Sequence, residues 1–451
     1  MMVPMPTSVL WFRSDLRLLD NPALRQATEA GPDGVVPLFV LDDRLWDVAG
    51  ETRQAYLGRL LADLDERVGG LVVVHGVPEQ VVPRVAAAVE ASTVHVAAAY
   101  TPYGAARDRR VERALADADV ELVRTGSPYA VAPGRVTKGD GTPYRVFTPF
   151  HRAWQEHGWR DPAPAVRSVP WTRPDVRTHR LPDAPPPDGL ALPSHGEEAA
   201  RRQWRDWLDH VDEYDDARDR PGADLTSRMS VHLKWGTVHP RTLLADLATR
   251  RSSGAQAYAR ELGFREFYAD VVHHRPDSVS GYYDRRFEAM DYDEPGDDLQ
   301  AWKDGRTGFP VVDAGMRQLA ATGWMHNRVR MIVASFLVKD LHLEWTVGAR
   351  HFLDLLVDAD VCSNQHGWQW VAGCGTDASP YFRVFNPTTQ GKKFDPDGTY
   401  VRRWVPELRD VPARSVHEPW RLDPPPPDYP APIVDHAEER QESLRRYEAL
   451  R

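Results

Sequence analysis

Cysteine is nearly absent from this chain: of 451 residues only Cys362 and Cys374 carry thiols. Two thiols give neither a disulfide framework nor a zinc-type ligand pattern, and they suit a reducing compartment, so the cytoplasm is the expected location. Long apolar runs are lacking too. No window approaches the roughly 18 apolar residues of a membrane span, and Met1 to Ser8 lacks the basic-then-apolar order of an export signal, so a secreted or membrane-embedded protein is not expected. Positive charge is not in excess: 56 Lys and Arg face 66 Asp and Glu, for a net charge of −10 and a pI near 5.9. That excludes a general electrostatic coating of nucleic acid, and any DNA site must be local. Finally, no Gly-x-Gly-x-x-Gly and no P-loop follows the first apolar run, so the usual dinucleotide fingerprint is missing there.

What is present divides the chain. Its length implies two or three domains with ample core. Over the first 125 residues, β-branched runs at Val9 to Phe12, Val35 to Leu41, Leu71 to Val74, Thr93 to Ala98 and Val120 to Val123 predict five strands. Between them lie helical patterns, as in Arg53 to Val68. Alternating strand and helix predicts a parallel sheet with helices on both faces, and Asn21-Pro22 reads as an N-cap followed by proline at the first helical position. A ligand of such a sheet belongs beyond the strand C-termini, near Arg13, Asp15, Asp42 and Arg53. From 131 to 200 the texture changes, with twelve of the chain's 38 prolines, and this stretch reads as an ordered connector. Beyond it, Arg201 to Asp219, Pro240 to Ala248, Ala255 to His273, Val311 to Thr322 and Arg328 to Leu341 have helical spacing, and a terminal helix spans Ala437 to Leu450. The expected architecture is an α/β domain (1–130), a Pro-rich connector (131–200) and a mainly α-helical domain (201–451).

Local basic character does exist. Between Asp313 and Asp340 there is no acid, while Arg317, Arg328, Arg330 and Lys339 are interleaved with Trp324 and His326. A second acid-free window, Ala378 to Phe394, sets Arg383, Lys392 and Lys393 among Tyr381, Phe382, Phe385 and Phe394. Cations that track a backbone and rings that stack on unpaired bases have this composition. On their own, such windows more often mark a solvated helix face beside core aromatics.

Four peptides are more distinctive: Trp11-Phe-Arg-Ser-Asp-Leu-Arg17, Asp224-Leu-Thr-Ser-Arg-Met-Ser230, Gly323-Trp-Met-His-Asn-Arg-Val-Arg330, and Gly367-Trp-Gln-Trp-Val-Ala-Gly-Cys-Gly-Thr-Asp-Ala-Ser-Pro-Tyr-Phe-Arg-Val-Phe-Asn-Pro387. Together they closely resemble the photolyase/cryptochrome family, specifically class I photolyases acting on cyclobutane pyrimidine dimers, over about residues 8 to 420. The resemblance implies light-dependent DNA repair by electron transfer from photoexcited reduced FAD, since no side chain absorbs blue light. It places Tyr214, Thr226, Ser227, Arg228, Met229, Ser230, Arg265, Asn327, Arg330, Asp358, Asp360 and Asn364 at FAD, with Arg330 and Asp358 paired beside the ring and the 226–230 hydroxyls and amides on the phosphates. Asn364 matches the position facing flavin N5. A lesion flipped out of single- or double-stranded DNA would meet Glu261, Asn327, Met331 and Trp370. Arg218, Arg328, Arg383, Gln390 and Lys392, with Phe264 and Arg265 nearby, match DNA-contacting positions. Phosphate contacts position DNA without reading its sequence, so binding is expected to be damage-specific and sequence-tolerant.

Trp368 and Trp345 match the inner stations of the family's electron-transfer chain, and register from Trp302 puts Tyr292 at the outer one. Two departures stand out: that tyrosine, and Phe264 and Tyr258 where members carry tryptophan. A smaller ring at 264 would cost about 1 kcal/mol of lesion stacking. The Pro102-Tyr103-Gly104 pattern with Arg53 and Lys234 resembles the branch with an 8-hydroxy-5-deazaflavin antenna more than the methenyltetrahydrofolate branch, whose acidic residue is Gly104 here. A monomer is expected. The competing reading is a cryptochrome-like blue-light photoreceptor, against which Asn364, Trp370 and the absence of a long tail stand. A nucleotide-binding scaffold and a (6-4) photoproduct enzyme fit less well.

Overall fold

The computed structural model describes residues 7–377 and 382–450. β1 (Thr7–Phe12), β2 (Gly34–Leu41), β3 (Val72–His75), β4 (Thr93–Val96) and β5 (Glu121–Arg124) form one all-parallel sheet in the order β3-β2-β1-β4-β5. The register sets Val9 beside Val36 on one side and Val94 on the other. All eight residues of β2 are buried, as a strand covered on both faces requires. The covers are α1 (Pro22–Ala30), a short α2 (Asp43–Trp46), α3 (Glu51–Val68), α4 (Pro78–Ala88) and α5 (Pro102–Ala116). Side chains alternate between the faces: Leu10, Phe12, Val35 and Phe39 pack with Leu24, Leu60 and Leu64, while Val9, Trp11, Val36 and Leu38 pack with Val81, Val85, Val111 and Leu115. Asn21 accepts a hydrogen bond from Leu24 N at the start of α1, with Pro22 behind it.

The stretch expected as a connector holds α6 (Phe147–His157), which the surrounding prolines masked. Phe147, Phe150 and Trp154 bury one face of it against Phe267, and Pro149 sits in the first turn, where no backbone bond is lost. The helical part then comprises α7 (Glu197–Leu208), α8 (Tyr214–Ala217), α9 (Met229–Trp235), α10 (Pro240–Ala248), α11 (Ser253–His274), α12 (Asp297–Lys303), α13 (Pro310–Thr322), α14 (Asn327–Lys339), α15 (Trp345–Leu355), α16 (Val361–Ala372), α17 (Pro387–Phe394), α18 (Thr399–Trp404) and α19 (His436–Glu448). The helix expected over Arg201 to Asp219 is broken into α7, a 3-10 turn at Val211–Glu213 and α8. Close packing accounts for the break: Gly254, at the start of α11, lies so near Val211 that a Cβ there would sit 2.0 Å from the Val211 carbonyl oxygen. Among the described residues no helix is long and apolar enough to cross a membrane.

Buried charge joins the two parts. Asp20, left-handed at φ 45°, accepts hydrogen bonds from Arg241 Nη2 at 2.7 Å, Ala163 N at 2.7 Å and Thr242 Oγ1 at 3.3 Å. Removing one partner of a buried pair strands the other, at roughly 3–5 kcal/mol. Asp20→Ala is therefore expected to lower unfolding free energy by about that amount in urea titrations. Asp20→Asn, which tolerates the left-handed backbone and keeps an acceptor, should lose clearly less.

Candidate functional site

The loop before α9 is held in a conformation its residues do not favour. Asp224 and Arg228 both adopt φ 53°, and neither is glycine; each such residue costs about 1–3 kcal/mol and concentrates at functional sites. The Arg228–Asp224 pair at 2.5 Å, Arg403 on Asp224 at 3.1 Å and the Arg228 guanidinium 4.6 Å from the Trp324 ring centre hold the loop in place. Ser227 Oγ accepts from Met229 N at 3.2 Å and bonds the Tyr258 hydroxyl at 2.7 Å. Thr226 Oγ1 is buried with no hydrogen-bond partner, which suits a hydroxyl awaiting a polar ligand. A cleft of about 450 Å3 opens alongside, lined by Arg202, Gln203, Asp206, Trp207, Thr226 and Ser227. Trp324 Nε1 reaches Ser230 Oγ at 3.4 Å.

α11 supplies the opposite wall, because Tyr258, Glu261 and Arg265 recur at helical spacing. Tyr258 packs among Trp204, Trp207 and Tyr214 with ring centres 4.6–5.3 Å apart. Glu261 pairs with Arg218 at 2.8 Å; burial raises its pKa while Arg218 opposes the rise. The next residue, Asp219, accepts from Arg328 Nε at 3.1 Å and Nη2 at 2.8 Å. Arg328 also lies 3.9 Å from Met331 Sδ and 4.4 Å from the Phe394 ring centre. Glu261, Arg218, Arg328 and Met331 are thereby brought onto one surface. Phe264 is stacked on Phe147 at 3.4 Å, so one ring face is already covered. Arg265 donates to the carbonyls of Pro128 at 2.9 Å and Leu233 at 3.3 Å.

α14 and α16 form the floor. His326 caps α14 and leaves Asn327 exposed at its first turn. Arg330 Nη2 holds both oxygens of buried Asp358, at 3.1 and 2.9 Å, and its Nε donates to Met325 O at 2.8 Å, so the expected pair is present. Asp360 caps α16 by accepting from Ser363 N at 2.9 Å. Asn364 Nδ2 donates to Ala349 O at 3.1 Å and Gln365 Oε1 at 2.8 Å, and the backbone carbonyl fixes which end of the amide is the donor. Trp370 is half-buried.

Trp368 is buried between Trp302, 6.3 Å away, and Phe352, 5.0 Å away. The described ring paired with Trp345 is Tyr282, at 6.2 Å, while Tyr292 packs on the same apolar cluster with its hydroxyl near that of Tyr282. Lys392 is paired with Glu418, Gln390 lies on the same α17, and Arg383 is exposed. Tyr381 falls outside the described residues. At the sheet's C-terminal edge the polar groups satisfy one another: Arg13 binds Asp108, Asp15 accepts from Arg13 N at 2.7 Å, and Asp42 accepts from Tyr103. Arg53 instead reaches the Leu353 carbonyl, and Lys234, half-buried, feels both Asp360 and Arg53; desolvation lowers both pKa values. Gly104 has little room for a side chain, since a Cβ would lie 2.9 Å from Ala99 Cβ. Sequence reasoning missed Asp219, Tyr282 and Glu344. Glu344, next to Trp345 in sequence, was the one with a local signal.

Residues 8–179 match the DNA photolyase family and residues 258–449 the FAD binding domain of DNA photolyase. A deoxyribodipyrimidine photo-lyase of Streptomyces griseus is 45% identical over 97% of this chain and 98% of its own. The structure is similar to a class III photolyase from Agrobacterium tumefaciens, with TM-score 0.91 and 34% identity over 100% of this chain and 98% of that one. It is also similar to a photolyase from Sulfolobus tokodaii that holds two FAD molecules, with TM-score 0.84 and 29% identity over 98% and 99% of the two chains. Two matched domains in one chain, and likeness along its whole length, make it a member of the photolyase/cryptochrome family.

Proposed function

We propose that this chain repairs cyclobutane pyrimidine dimers in DNA as a light-dependent deoxyribodipyrimidine photo-lyase with FAD as its cofactor. The observation that carries the reading is the pair of adjacent residues Arg218 and Asp219, which tie Glu261 of α11 and Arg328 of α14 into one surface beside Met331. An acid for the lesion, a cation for phosphate and an apolar contact for a base thereby stand together.

When bound and reduced, FAD supplies the photoexcited electron. The chain supplies the setting. Thr226, with its unpartnered hydroxyl, and Ser227 to Ser230 would hold the phosphates, and Tyr214, Arg265 and Asp360 the rest of the nucleotide. Arg330 and Asp358 present a fixed charge pair to the ring. Asn364 has its amide nitrogen engaged, so its carbonyl oxygen is left to accept a hydrogen bond from the flavin. Asn327, Trp370 and Phe264, the last with one face committed to Phe147, would receive the extruded bases. Arg383, Gln390 and Lys392 would contact the strand. Assignment to class I rests on the resemblance carried by the Trp11–Arg17, Asp224–Ser230, Gly323–Arg330 and Gly367–Pro387 peptides together. For the antenna, the tight space at Gly104 supports 8-hydroxy-5-deazaflavin over methenyltetrahydrofolate, with Arg53 and Lys234 as its contacts.

Repair is tested by following loss of a thymine dimer from a defined oligonucleotide with chemically reduced holoprotein. Repair under blue light and none in darkness is expected, and Trp368→Phe should keep this activity while photoreducing slowly. Absence of repair despite bound reduced FAD and lesion binding would favour the photoreceptor reading.

Glu261 gives a pH signature. Its raised pKa means the neutral, donating form is present below the folded value and lost as pH rises through it. Dimer affinity should therefore fall with rising pH in the native protein and stay flat in Glu261→Gln, whose amide donates at every pH; binding titrations across pH report both.

Mass spectrometry of chromophores released from protein made in a deazaflavin-producing host should find 8-hydroxy-5-deazaflavin beside FAD. Lys234→Ala should lose the former and retain the latter; folate in its place would overturn the antenna assignment.

A further inference from the structure

We propose that Tyr282, with Glu344 as its proton acceptor, is the terminal station of the hole-transfer chain that starts at Trp368, an inference that rests on FAD being held beside Asn364.

The two inner indoles share an unusual property. Trp368 Nε1 and Trp345 Nε1 are both buried and have no hydrogen-bond partner. An oxidised indole so placed has no base within reach, so it keeps its proton and passes the hole on. Gly348, one turn beyond Trp345 in α15, lets this helix close on Trp368: a Cβ at 348 would lie 2.1 Å from Trp368 Cη2. Trp345 then meets Tyr282 edge to face, with ring centres 6.2 Å apart and ring planes at 81°.

At Tyr282 the chemistry changes. Its hydroxyl donates to Glu344 Oε1 at 2.7 Å, and Thr346 Oγ1 steadies the other carboxylate oxygen at 2.8 Å. Because Glu344 immediately precedes Trp345, the acceptor is built into the N-terminus of the helix that carries the hole. The steps balance. Trp368 gives one electron to a photoexcited oxidised flavin and regains one from Trp345, which regains one from Tyr282. As Tyr282 is oxidised its O–H bond breaks, the proton forms a new O–H bond on Glu344, and a neutral tyrosyl radical remains. A solution thiol then returns one electron, Glu344 hands its proton back to the Tyr282 oxygen, and the thiol's own proton passes to solvent. Burial strongly disfavours a free phenolate at Tyr282, so the proton must leave together with the electron. Tyr292, half-exposed and packed on the same apolar cluster, has its hydroxyl near that of Tyr282 and serves as a hydroxyl neighbour to the radical.

The test is illumination of oxidised, FAD-loaded protein, with freeze-quenched electron paramagnetic resonance and transient absorption in light and heavy water. A neutral tyrosyl radical with a solvent isotope effect is expected, and ring-deuterated tyrosine should narrow its spectrum. Tyr282→Phe should abolish it and leave a longer-lived indole radical, whereas Tyr292→Phe should retain it. Glu344→Gln should slow its formation about tenfold, equivalent to about 1.4 kcal/mol on the barrier, and Glu344→Asp should restore it. A tyrosyl signal surviving Tyr282→Phe, or an indole radical as the last species in the native protein, would overturn the proposal. Failure of the repair reading shows separately, as absence of dimer loss with pre-reduced native protein while these radical signals persist.

Discussion

The carboxylate of Glu266, buried in the middle of α11, fixes the helix on which the candidate site is built. Val131 N donates to it at 3.0 Å, Trp154 Nε1 at 2.6 Å and Ala130 N closer still. Burial raises its pKa to about 7, and the three donors pull the other way, toward the charged form. A charge this deep persists only with such partners, so the chain entering from the α/β domain and α6 are both committed to one position along α11. That position sets where Tyr258, Glu261, Phe264 and Arg265 project. A shift of one residue would rotate these side chains by roughly 100° and dissolve the wall they form.

The same logic of buried charge closes the domains on each other. Glu197, at the start of α7, accepts from Leu18 N at 2.7 Å and Leu19 N at 2.9 Å in the loop after β1, and Asp20 continues the seam to Arg241. Val231, Trp324 and Val357 of the helical part join the apolar cluster beneath α1 and α3. Loop 224–228 and the 323–330 turn are therefore packed against a rigid sheet layer, which can sustain left-handed backbone at Asp224 and Arg228. The unpartnered Thr226 hydroxyl belongs to this strained loop, and neither feature benefits a protein that holds nothing there.

The sheet was legible because each strand is a short apolar run between turn residues, and burial on both faces leaves no polar alternation to misread. The Arg330–Asp358 pair was legible through the resemblance alone, since nothing local links residues 28 apart. α6 was obscured because Pro143 and Pro149 suggest irregular chain, although Phe147, Phe150 and Trp154 already have helical spacing. The break after Leu208 lay beyond sequence reasoning, because its cause is a tertiary contact with Gly254. For the same reason Tyr282 went unseen: register along the chain pointed to Tyr292, whereas contact between rings depends on how the loop before α12 folds back over Trp345.

An acidic protein that handles DNA must keep its cations from binding indiscriminately. Here Arg218 is paired with Glu261, Arg328 with Asp219 and Lys392 with Glu418. Undamaged duplex offers phosphates but no group to occupy the pocket, so breaking these pairs would gain only screened surface contacts, each worth little. An extruded lesion changes that balance. Under the proposed function it would engage Glu261 directly, free Arg218 for phosphate, and replace an internal ion pair by two contacts to the ligand. Under the proposed function, the net charge of −10 and the paired rim are one device: affinity is withheld until the base that fills the pocket is present.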